Sequence, residues 1–321
     1  MKISARRLTV ALAVPLLLLG AGPAQARAER PVREAGSPAQ VMPLGRASGP
    51  VRIMPLGDSI TWGVGSTSND SYRSALFWRL SRAGVQADLV GSQHTGTSRD
   101  PDHEGHKGWT IAQLAEHVDD WLATYEPDVI LLHIGTNDMV RGNRNAARDL
   151  DRLLDRIAAD RPGAQVFVAK IVGLGDYSDA AAQRWRTTGY NEAVARIVAT
   201  KGPDFHLVDQ SDVRGIDMWN REHPNDYGYQ KMAWNWYVAL ESVLGGEAAW
   251  PAADDPYRAS FGYRCIQRSG LGRAAEGCHT WYRQAGLGWR LPVPVKQRYQ
   301  VKVKGKVVSR VRTVTRWIVA S

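Results

Sequence analysis

The sequence of 321 residues lacks an apolar run long enough to span a bilayer. Its longest run, residues 8–20, covers 13 residues, whereas a membrane-spanning helix needs about 20. With 44% hydrophobic and 23% charged residues, the sequence also lacks the composition of a disordered or fibrous chain, and it shows no internal repeat. We therefore expect one large or two ordinary globular domains without a membrane span.

The short apolar run instead has the features of a secretory signal peptide. It follows three basic residues and leads to Ala24-Gln25-Ala26, a cleavage site of small residues. Residues 1–26 are therefore expected to be removed from a secreted, extracellular protein, and Arg6-Arg7 leaves a twin-arginine route open. Residues 27–50 hold Pro, Gly, Ala and Arg without periodicity, which predicts a linker.

Cysteine is also scarce, since Cys265 and Cys278 are the two cysteines of the whole sequence. In an exported protein, two cysteines 13 positions apart indicate a disulfide. A zinc site is disfavoured because only His279 lies near them to offer a further ligand.

Charge is distributed unevenly along the chain. Residues 251–321 contain 14 Lys and Arg against three acidic residues, whereas residues 27–250 carry a net charge of −5. This asymmetry predicts two units with different partners, a domain at 51–250 and a basic C-terminal segment at 251–321. The segment is a candidate surface for an anionic polymer such as an acidic polysaccharide, with a merely solvated basic face as the alternative. Nucleic acid is not expected as a partner of an exported protein.

Within residues 51–250, short apolar runs alternate with helical patterns. Strands are predicted at 51–56, 87–90, 129–134, 166–172 and 205–208, with helical spacing at 111–125, 150–158 and 227–244. The run Val129-Ile130-Leu131-Leu132 is apolar on both faces, as a strand covered by helices on each side requires. The pattern predicts a three-layer α/β/α sandwich with a five-stranded parallel sheet.

The basic segment follows a different pattern. Basic and β-branched residues alternate at 299–303 and 307–317, on either side of Lys304-Gly305-Lys306. Alternation around a glycine-containing turn predicts a β-hairpin, so the segment is expected to be small and rich in β-structure. A unit of about 70 residues often needs a disulfide as a staple.

Polar motifs follow the predicted strands at the edge where an open parallel sheet places its active site. Gly57-Asp58-Ser59-Ile60-Thr61 follows the first strand, and Gly135-Thr136-Asn137-Asp138 follows the third. His223-Pro224-Asn225 stands ahead of the last helix. The three motifs together predict one shared site.

These motifs, with Gly108 between them, resemble the four sequence blocks of the SGNH (GDSL-type) hydrolases, in the same order. Three longer stretches resemble secreted acetyl xylan esterases of this fold: Arg52-Ile53-Met54-Pro55-Leu56-Gly57-Asp58-Ser59-Ile60-Thr61, His103-Glu104-Gly105-His106-Lys107-Gly108-Trp109-Thr110 and Leu131-Leu132-His133-Ile134-Gly135-Thr136-Asn137-Asp138-Met139. The resemblance covers roughly residues 51–245 and does not reach the basic segment. It implies a flavodoxin-like α/β fold and a serine esterase that uses no cofactor.

The resemblance also implies a role for each motif residue. Ser59 would be the nucleophile, and His223 the base that activates it and later protonates the leaving alcohol. The backbone N–H groups of Ser59 and Gly108 and the side-chain amide of Asn137 would hold the oxyanion. Without the other motifs, Asn137 would instead be interpreted as a helix cap. Asp58 is expected to tie down the turn rather than to react.

One position departs from the family pattern, which places an aspartate three residues before the histidine. Here that residue is Asn220, whose amide can accept a hydrogen bond from the imidazole ring but brings no charge. We therefore expect a backbone carbonyl within residues 219–221 to orient His223. The carboxylate of Asp217 or Glu222 is the second candidate, although Glu222, next to the histidine, is poorly placed to turn back onto the ring. The amide of Asn220 itself is the remaining one.

The sequence favours a secreted serine esterase that removes acetyl or other short acyl groups from a polysaccharide such as xylan. A lipase or lysophospholipase remains an alternative, because a fold does not set the substrate. A polyanion-binding protein of low activity is a further alternative.

Residue types that commonly bind metal ions occur at Asp100, Asp102, His103, Glu104 and His106. That stretch precedes the oxyanion glycine in the family, so no metal is expected. Since no catalytic motif follows His223, the basic segment is expected to be independent of catalysis.

Overall fold

The computed structural model of the protein describes residues 49–174, 180–245, 249–267 and 271–320. The predicted signal peptide and nearly all of the predicted linker lie outside these residues. Within the described ranges, no helix is both long and apolar enough to cross a membrane.

One mixed sheet organises the larger part of the chain. Its seven strands within the described residues are β1 (Val51–Gly57), β2 (Ala87–Leu89), β3 (Gln93–His94), β4 (Asp102–Gly105), β5 (Val129–His133), β6 (Gln165–Lys170) and β7 (Phe205–Asp209). The five predicted strands are β1, β2, β5, β6 and β7, and they pair in parallel in the order β2-β1-β5-β6-β7. The predicted α/β class is confirmed.

Strands β3 and β4 are additions that the apolar pattern did not predict. β4 pairs in parallel with the end of β1, at Leu56 and Gly57, beyond the stretch that pairs with β2. β3 is antiparallel to β4, so the expectation of a purely parallel, five-stranded sheet was wrong. The apolar pattern did not predict β4 because this strand is polar although it is largely buried. Its Glu104 accepts hydrogen bonds from the N–H and the hydroxyl of Ser92, both at 2.7 Å.

Helices cover the sheet in two groups. The helices of the described residues are α1 (Ser59–Trp62), α2 (Arg73–Arg82), α3 (Ile111–Ala115), α4 (Val118–Tyr125), α5 (Thr136–Arg141), α6 (Ala146–Asp160), α7 (Ala180–Val198) and α8 (Asp226–Leu244). Helices α2 and α8 pack against each other, whereas α6 packs against α3, α4 and α7. Every residue of β5 is buried, as the predicted three-layer arrangement requires. The predicted helix at 111–125 is divided into α3 and α4.

The basic segment forms a second, antiparallel sheet. Its strands are β8 (Phe261–Ile266), β9 (Gly277–Gln284), β10 (Gly288–Val303) and β11 (Lys306–Ala320), in the order β8-β9-β10-β11. The predicted hairpin is confirmed, because Val303 pairs with Lys306 across Lys304 and Gly305. Both turn residues have positive φ, 48° and 75°, which suits the right-handed twist of a two-residue hairpin.

The second sheet has a small core and a disulfide. Cys265 and Cys278 are directly opposite each other on β8 and β9 and are disulfide-bonded, as predicted. Trp281, which is fully buried, belongs to a cluster with Ile266, Ala275, Leu291, Val293 and Ala320. Ile216, which lies between β7 and α8, completes the same cluster. The second sheet is therefore packed onto the first part of the chain.

Replacing both Cys265 and Cys278 with serine should lower the free energy of unfolding by about 3 kcal/mol, because the bridge no longer restricts the unfolded chain. Urea denaturation followed by tryptophan fluorescence measures this change, since Trp281 is buried in the same sheet. Wild-type protein in reductant should unfold like the double variant. Two free thiols in denatured, unreduced wild-type protein would contradict the assignment.

Candidate active site

The first site residue, Ser59, follows β1 directly and begins α1. Asp58 caps this short helix, and its carboxylate accepts the N–H of Ile60 at 2.9 Å. Because Asp58 is fully buried, desolvation raises its pKa to about 7. These contacts agree with a structural role for Asp58, and they leave Ser59 just accessible, 7% exposed.

The second site residue, His223, lies in a loop that we call the histidine loop, residues 217–225, ahead of α8. Its Nε2 atom lies 2.8 Å from Oγ of Ser59, although 164 positions separate the two residues. Burial lowers the pKa of His223 to about 4, since desolvation disfavours the charged imidazole. At neutral pH the ring is therefore uncharged and able to accept a proton.

The side-chain amide of Asn220 faces the other ring nitrogen of His223. Its Oδ1 lies 3.0 Å from Nδ1 and also accepts the backbone N–H groups of Glu222 and His223, each at 2.9 Å. Because two N–H groups point at this atom, it must be the oxygen of the amide, and Nδ1 must carry the hydrogen. Nε2 is then the acceptor for the hydroxyl of Ser59. The expectation that a backbone carbonyl accepts the hydrogen of Nδ1 was wrong, because the loop turns the side-chain amide of Asn220 toward the imidazole.

The second expected orienter, Asp217, faces away from the imidazole. Its buried carboxylate accepts Nζ of Lys231 at 2.6 Å and Nε of Arg264 at 2.9 Å. That expectation was wrong because the two cations occupy both carboxylate oxygens. Sequence reasoning missed Lys231 and Arg264, since one lies on α8 and the other on β8 of the basic segment.

The loop that carries Gly108 lies beside Ser59. The N–H of His106 donates to the carbonyl of Gly57 at 2.9 Å, and Nζ of Lys107 lies 3.8 Å from the ring centre of Trp62 at the end of α1. Gly108 has φ +81°, a left-handed conformation that a side chain would disfavour. Glycine is therefore suited to this position of the loop.

Asn137 joins the same region from the second position of α5. Its Nδ2 donates to the carbonyl of Trp109 at 2.9 Å, so its amide lies against the residue after Gly108 and one N–H remains for a ligand. It does not cap α5, because Gly135 is the N-cap. Arg141, one helical turn later, donates to the carbonyl of Gly108 at 2.7 Å. Spacing of four positions on a helix was the signal that could have found Arg141.

The candidate metal ligands before Gly108 have structural partners. His103 is buried between the hydroxyl of Thr95 at 2.7 Å and the N–H of Gly105 at 2.9 Å, and desolvation lowers its pKa to about 2. His106 contacts Glu104 at 2.6 Å. In the described part of the chain, no group of three such side chains is arranged to share a metal ion.

Comparison with known proteins agrees with this geometry. Residues 56–231 match the GDSL-like Lipase/Acylhydrolase family. The chain belongs to this family. The family block positions predicted from the sequence, Ser59, Gly108, Asn137 and His223, all lie within the matched residues.

Three of the proteins that this chain resembles are named as esterases. A multidomain esterase of Ruminococcus flavefaciens is 31% identical over 271 residues, which cover 74% of this chain and 32% of that protein. The chain thus spans about a third of the length of this curated relative. A family 3 carbohydrate esterase from Clostridium thermocellum is 35% identical, with a TM-score of 0.55. The match covers 61% of this chain and 98% of the esterase chain. A family 3 carbohydrate esterase from Talaromyces cellulolyticus is 28% identical, with a TM-score of 0.51 over 60% and 98% of the two chains.

The imidazole of His223 should titrate near pH 4, and Asn220→Asp should raise this pKa by roughly 1–3 pH units. A carboxylate 3.0 Å from Nδ1 would stabilise the charged ring. NMR titration of the imidazole, assigned by its absence in His223→Gln, measures both values. Asn145→Asp, an exposed change at the start of α6, should leave the pKa unchanged. An unaltered pKa in Asn220→Asp would show that Asn220 does not face the ring.

Proposed function

We propose that this protein is a secreted serine esterase that removes acetyl groups from a polysaccharide through an acyl-enzyme intermediate. The observation that carries the proposal is the 2.8 Å contact between Oγ of Ser59 and Nε2 of His223. An uncharged imidazole with its hydrogen on Nδ1 is the form that a general base must have. The family and the relatives that are named esterases support the same reaction class.

In the first half of the proposed reaction, Ser59 is acylated. Its Oγ attacks the ester carbonyl while Nε2 of His223 takes the hydroxyl proton. The N–H groups of Ser59 and Gly108 and Nδ2 of Asn137 donate to the oxyanion of the tetrahedral intermediate. His223 then gives its proton to the leaving sugar hydroxyl, and the acyl group stays on Ser59.

In the second half, water removes the acyl group. His223 takes a proton from the water, whose oxygen attacks the acyl carbonyl in the same oxyanion pocket. The intermediate collapses, the proton returns to Oγ of Ser59, and acetate leaves. Asn220 keeps the imidazole in one tautomer through both halves, and it does so without a charge.

The proposed substrate class is based on the relatives of this chain. The proposed location of the protein outside the cell is based on the disulfide. Two solved structures at 35% and 28% identity are named family 3 carbohydrate esterases, which favours an acetylated polysaccharide over a lipid. The Cys265–Cys278 bridge favours an oxidising compartment and thus export. The division into a catalytic domain at 51–250 and a basic segment at 251–321 is part of this proposal.

Replacing Ser59 with alanine should lower kcat for a chromogenic acetate by up to about 10⁶-fold, because the nucleophile is lost. A serine-directed phosphonate should label wild-type protein at Ser59. Ser242→Ala, a change on the exposed end of α8, is the matched control and should keep wild-type activity. Turnover retained in Ser59→Ala would refute the proposal, and faster hydrolysis of octanoate than of acetate would favour a lipase instead.

We also propose that the β10–β11 hairpin binds acidic polymers. Eight exposed cations lie along it: Lys296, Arg298, Lys302, Lys304, Lys306, Arg310, Arg312 and Arg316. None of them forms an ion pair with another residue of the described ranges. Alternate residues of a strand lie about 7 Å apart on one face, so the hairpin presents rows of positive charge suited to a repeating anion.

Changing Lys302, Lys304 and Lys306 together to glutamine should weaken retention on immobilised polygalacturonate at low salt, because the tip loses three charges. The effect should disappear at high salt, where the charges are screened. The matched control changes the exposed Arg99, Arg144 and Arg196 of the first part of the chain to glutamine. Equal loss of retention in both triple variants would show that only net charge matters and would refute the proposal.

A further inference from the structure

The histidine loop is closed on itself by backbone contacts. The N–H of Asn225 donates to the carbonyl of Asp217 at 2.9 Å, and the N–H of Trp219 donates to the carbonyl of His223 at 2.8 Å. Met218 and Pro224 form a β-bridge between the two arms. Because the arms are joined in this way, whatever holds Asp217 and Trp219 also sets the place of His223.

The second sheet contacts this loop in three different ways. Nε of Arg264 donates to Oδ1 of Asp217 at 2.9 Å, and the backbone N–H of Gln267 donates to the carbonyl of Trp219 at 2.7 Å. Ile216, next to the loop, lies in the apolar cluster of the second sheet. The loop therefore rests on β8 through an ion pair, a backbone hydrogen bond and apolar packing.

Arg264 is itself held in one position. It is 1% exposed, and its guanidinium lies 3.6 Å from the ring centre of Tyr227 and 3.9 Å from that of Trp289. Its Nη1 also donates to the carbonyl of Gly262 at 3.2 Å. Tyr227 lies in the first turn of α8, so Arg264 contacts both the first residue of the histidine loop and the helix that follows the loop.

We propose that Arg264 is a positioning residue for catalysis, which acts through Asp217 to hold His223 in line with Ser59. The inference rests on the proposed function and adds to it a requirement for the second sheet. A displacement of about 1 Å in a catalytic group can cost on the order of 10²-fold in rate. Without Arg264, Asp217 keeps only Lys231 as a cationic partner among the described residues, and β8 no longer holds the loop through an ion pair. The basic segment is then part of the catalytic unit, contrary to the expectation from the sequence.

Arg264→Met should lower kcat for a chromogenic acetate by roughly ten- to 10²-fold, with KM nearly unchanged, since the substrate site remains. Arg264→Lys keeps a positive charge next to Asp217 and should recover part of kcat. The matched control is Arg290→Met, which removes an arginine stacked over Trp317 at 4.5 Å in the same sheet but away from the histidine loop. It should retain wild-type kcat.

The rate of phosphonate labelling of Ser59 gives a second reading that needs no ester substrate. It should fall in parallel with kcat, because labelling depends on activation of Ser59 by His223. If Arg264 acts through Asp217, the double variant Arg264→Met with Asp217→Asn should lose no more activity than the worse single variant. An additive loss, wild-type kcat in folded Arg264→Met, or an equal loss in Arg290→Met would overturn the inference.

If Arg264→Met does not fold, Gln267→Pro tests the requirement for the second sheet, because it removes the N–H that donates to the carbonyl of Trp219 and leaves the side chain of Arg264 in place. A lower kcat with unchanged KM would support the inference, and wild-type kcat would overturn it. Failure of the proposed function looks different: wild-type protein then hydrolyses no ester, or Ser59→Ala is as active as wild type. Failure of the inference alone leaves wild-type activity that depends on Ser59 but not on Arg264.

Discussion

The contact between Ser59 and His223 depends on holding two distant loops at hydrogen-bond distance. One loop leaves β1, whose strand is paired on both edges, so Ser59 starts from a rigid position. The other precedes α8 and begins at Asp217, whereas β7, the preceding strand of the main sheet, already ends at Asp209. Its geometry comes instead from its own backbone bonds and from its neighbours. The distance between Ser59 and His223 therefore depends mainly on the position of the histidine loop. The contacts of that loop with the rest of the chain decide whether the site keeps its geometry.

In the proposed mechanism, Asn220 takes the place of a carboxylate, so the site has one charge fewer. A carboxylate next to a partly buried imidazole would favour the charged ring, whereas the amide selects the tautomer and leaves the ring neutral. Burial then keeps the pKa of His223 near 4, which preserves the base form across mildly acidic conditions. The proposed imidazolium is therefore stabilised less by charge, and the proposed mechanism depends more on the donors to the oxyanion. The contacts of Gly108 with Arg141 and of Asn137 with Trp109 are consistent with such a rigid pocket.

The carboxylate of Asp217 pairs with two cations and does not contact His223. It lies buried between Lys231 and Arg264, and a buried carboxylate with two cationic partners is costly to leave unpaired. This ion pair couples the second sheet to the histidine loop, while the far end of the same sheet extends an exposed basic hairpin. This small unit thus has a buried end that contacts the histidine loop and an exposed end that carries positive charge. The disulfide between β8 and β9 lies near the buried end, where rigidity matters most.

Local sequence patterns by themselves determined the five main strands and the hairpin at Lys304-Gly305. These predictions succeed because apolar runs and turn residues act over a few neighbouring residues. The motif residues Ser59, Gly108, Asn137 and His223 came from a resemblance to a family, and their roles stay predictions. Only the tertiary structure decided the rest. Strand β4 is polar and became buried because Ser92 supplies its partners. The amide of Asn220 turned inward because of loop geometry, and Asp217 found Arg264, 47 positions away. A side chain's partner depends on which distant groups packing brings near, and no local pattern carries that information.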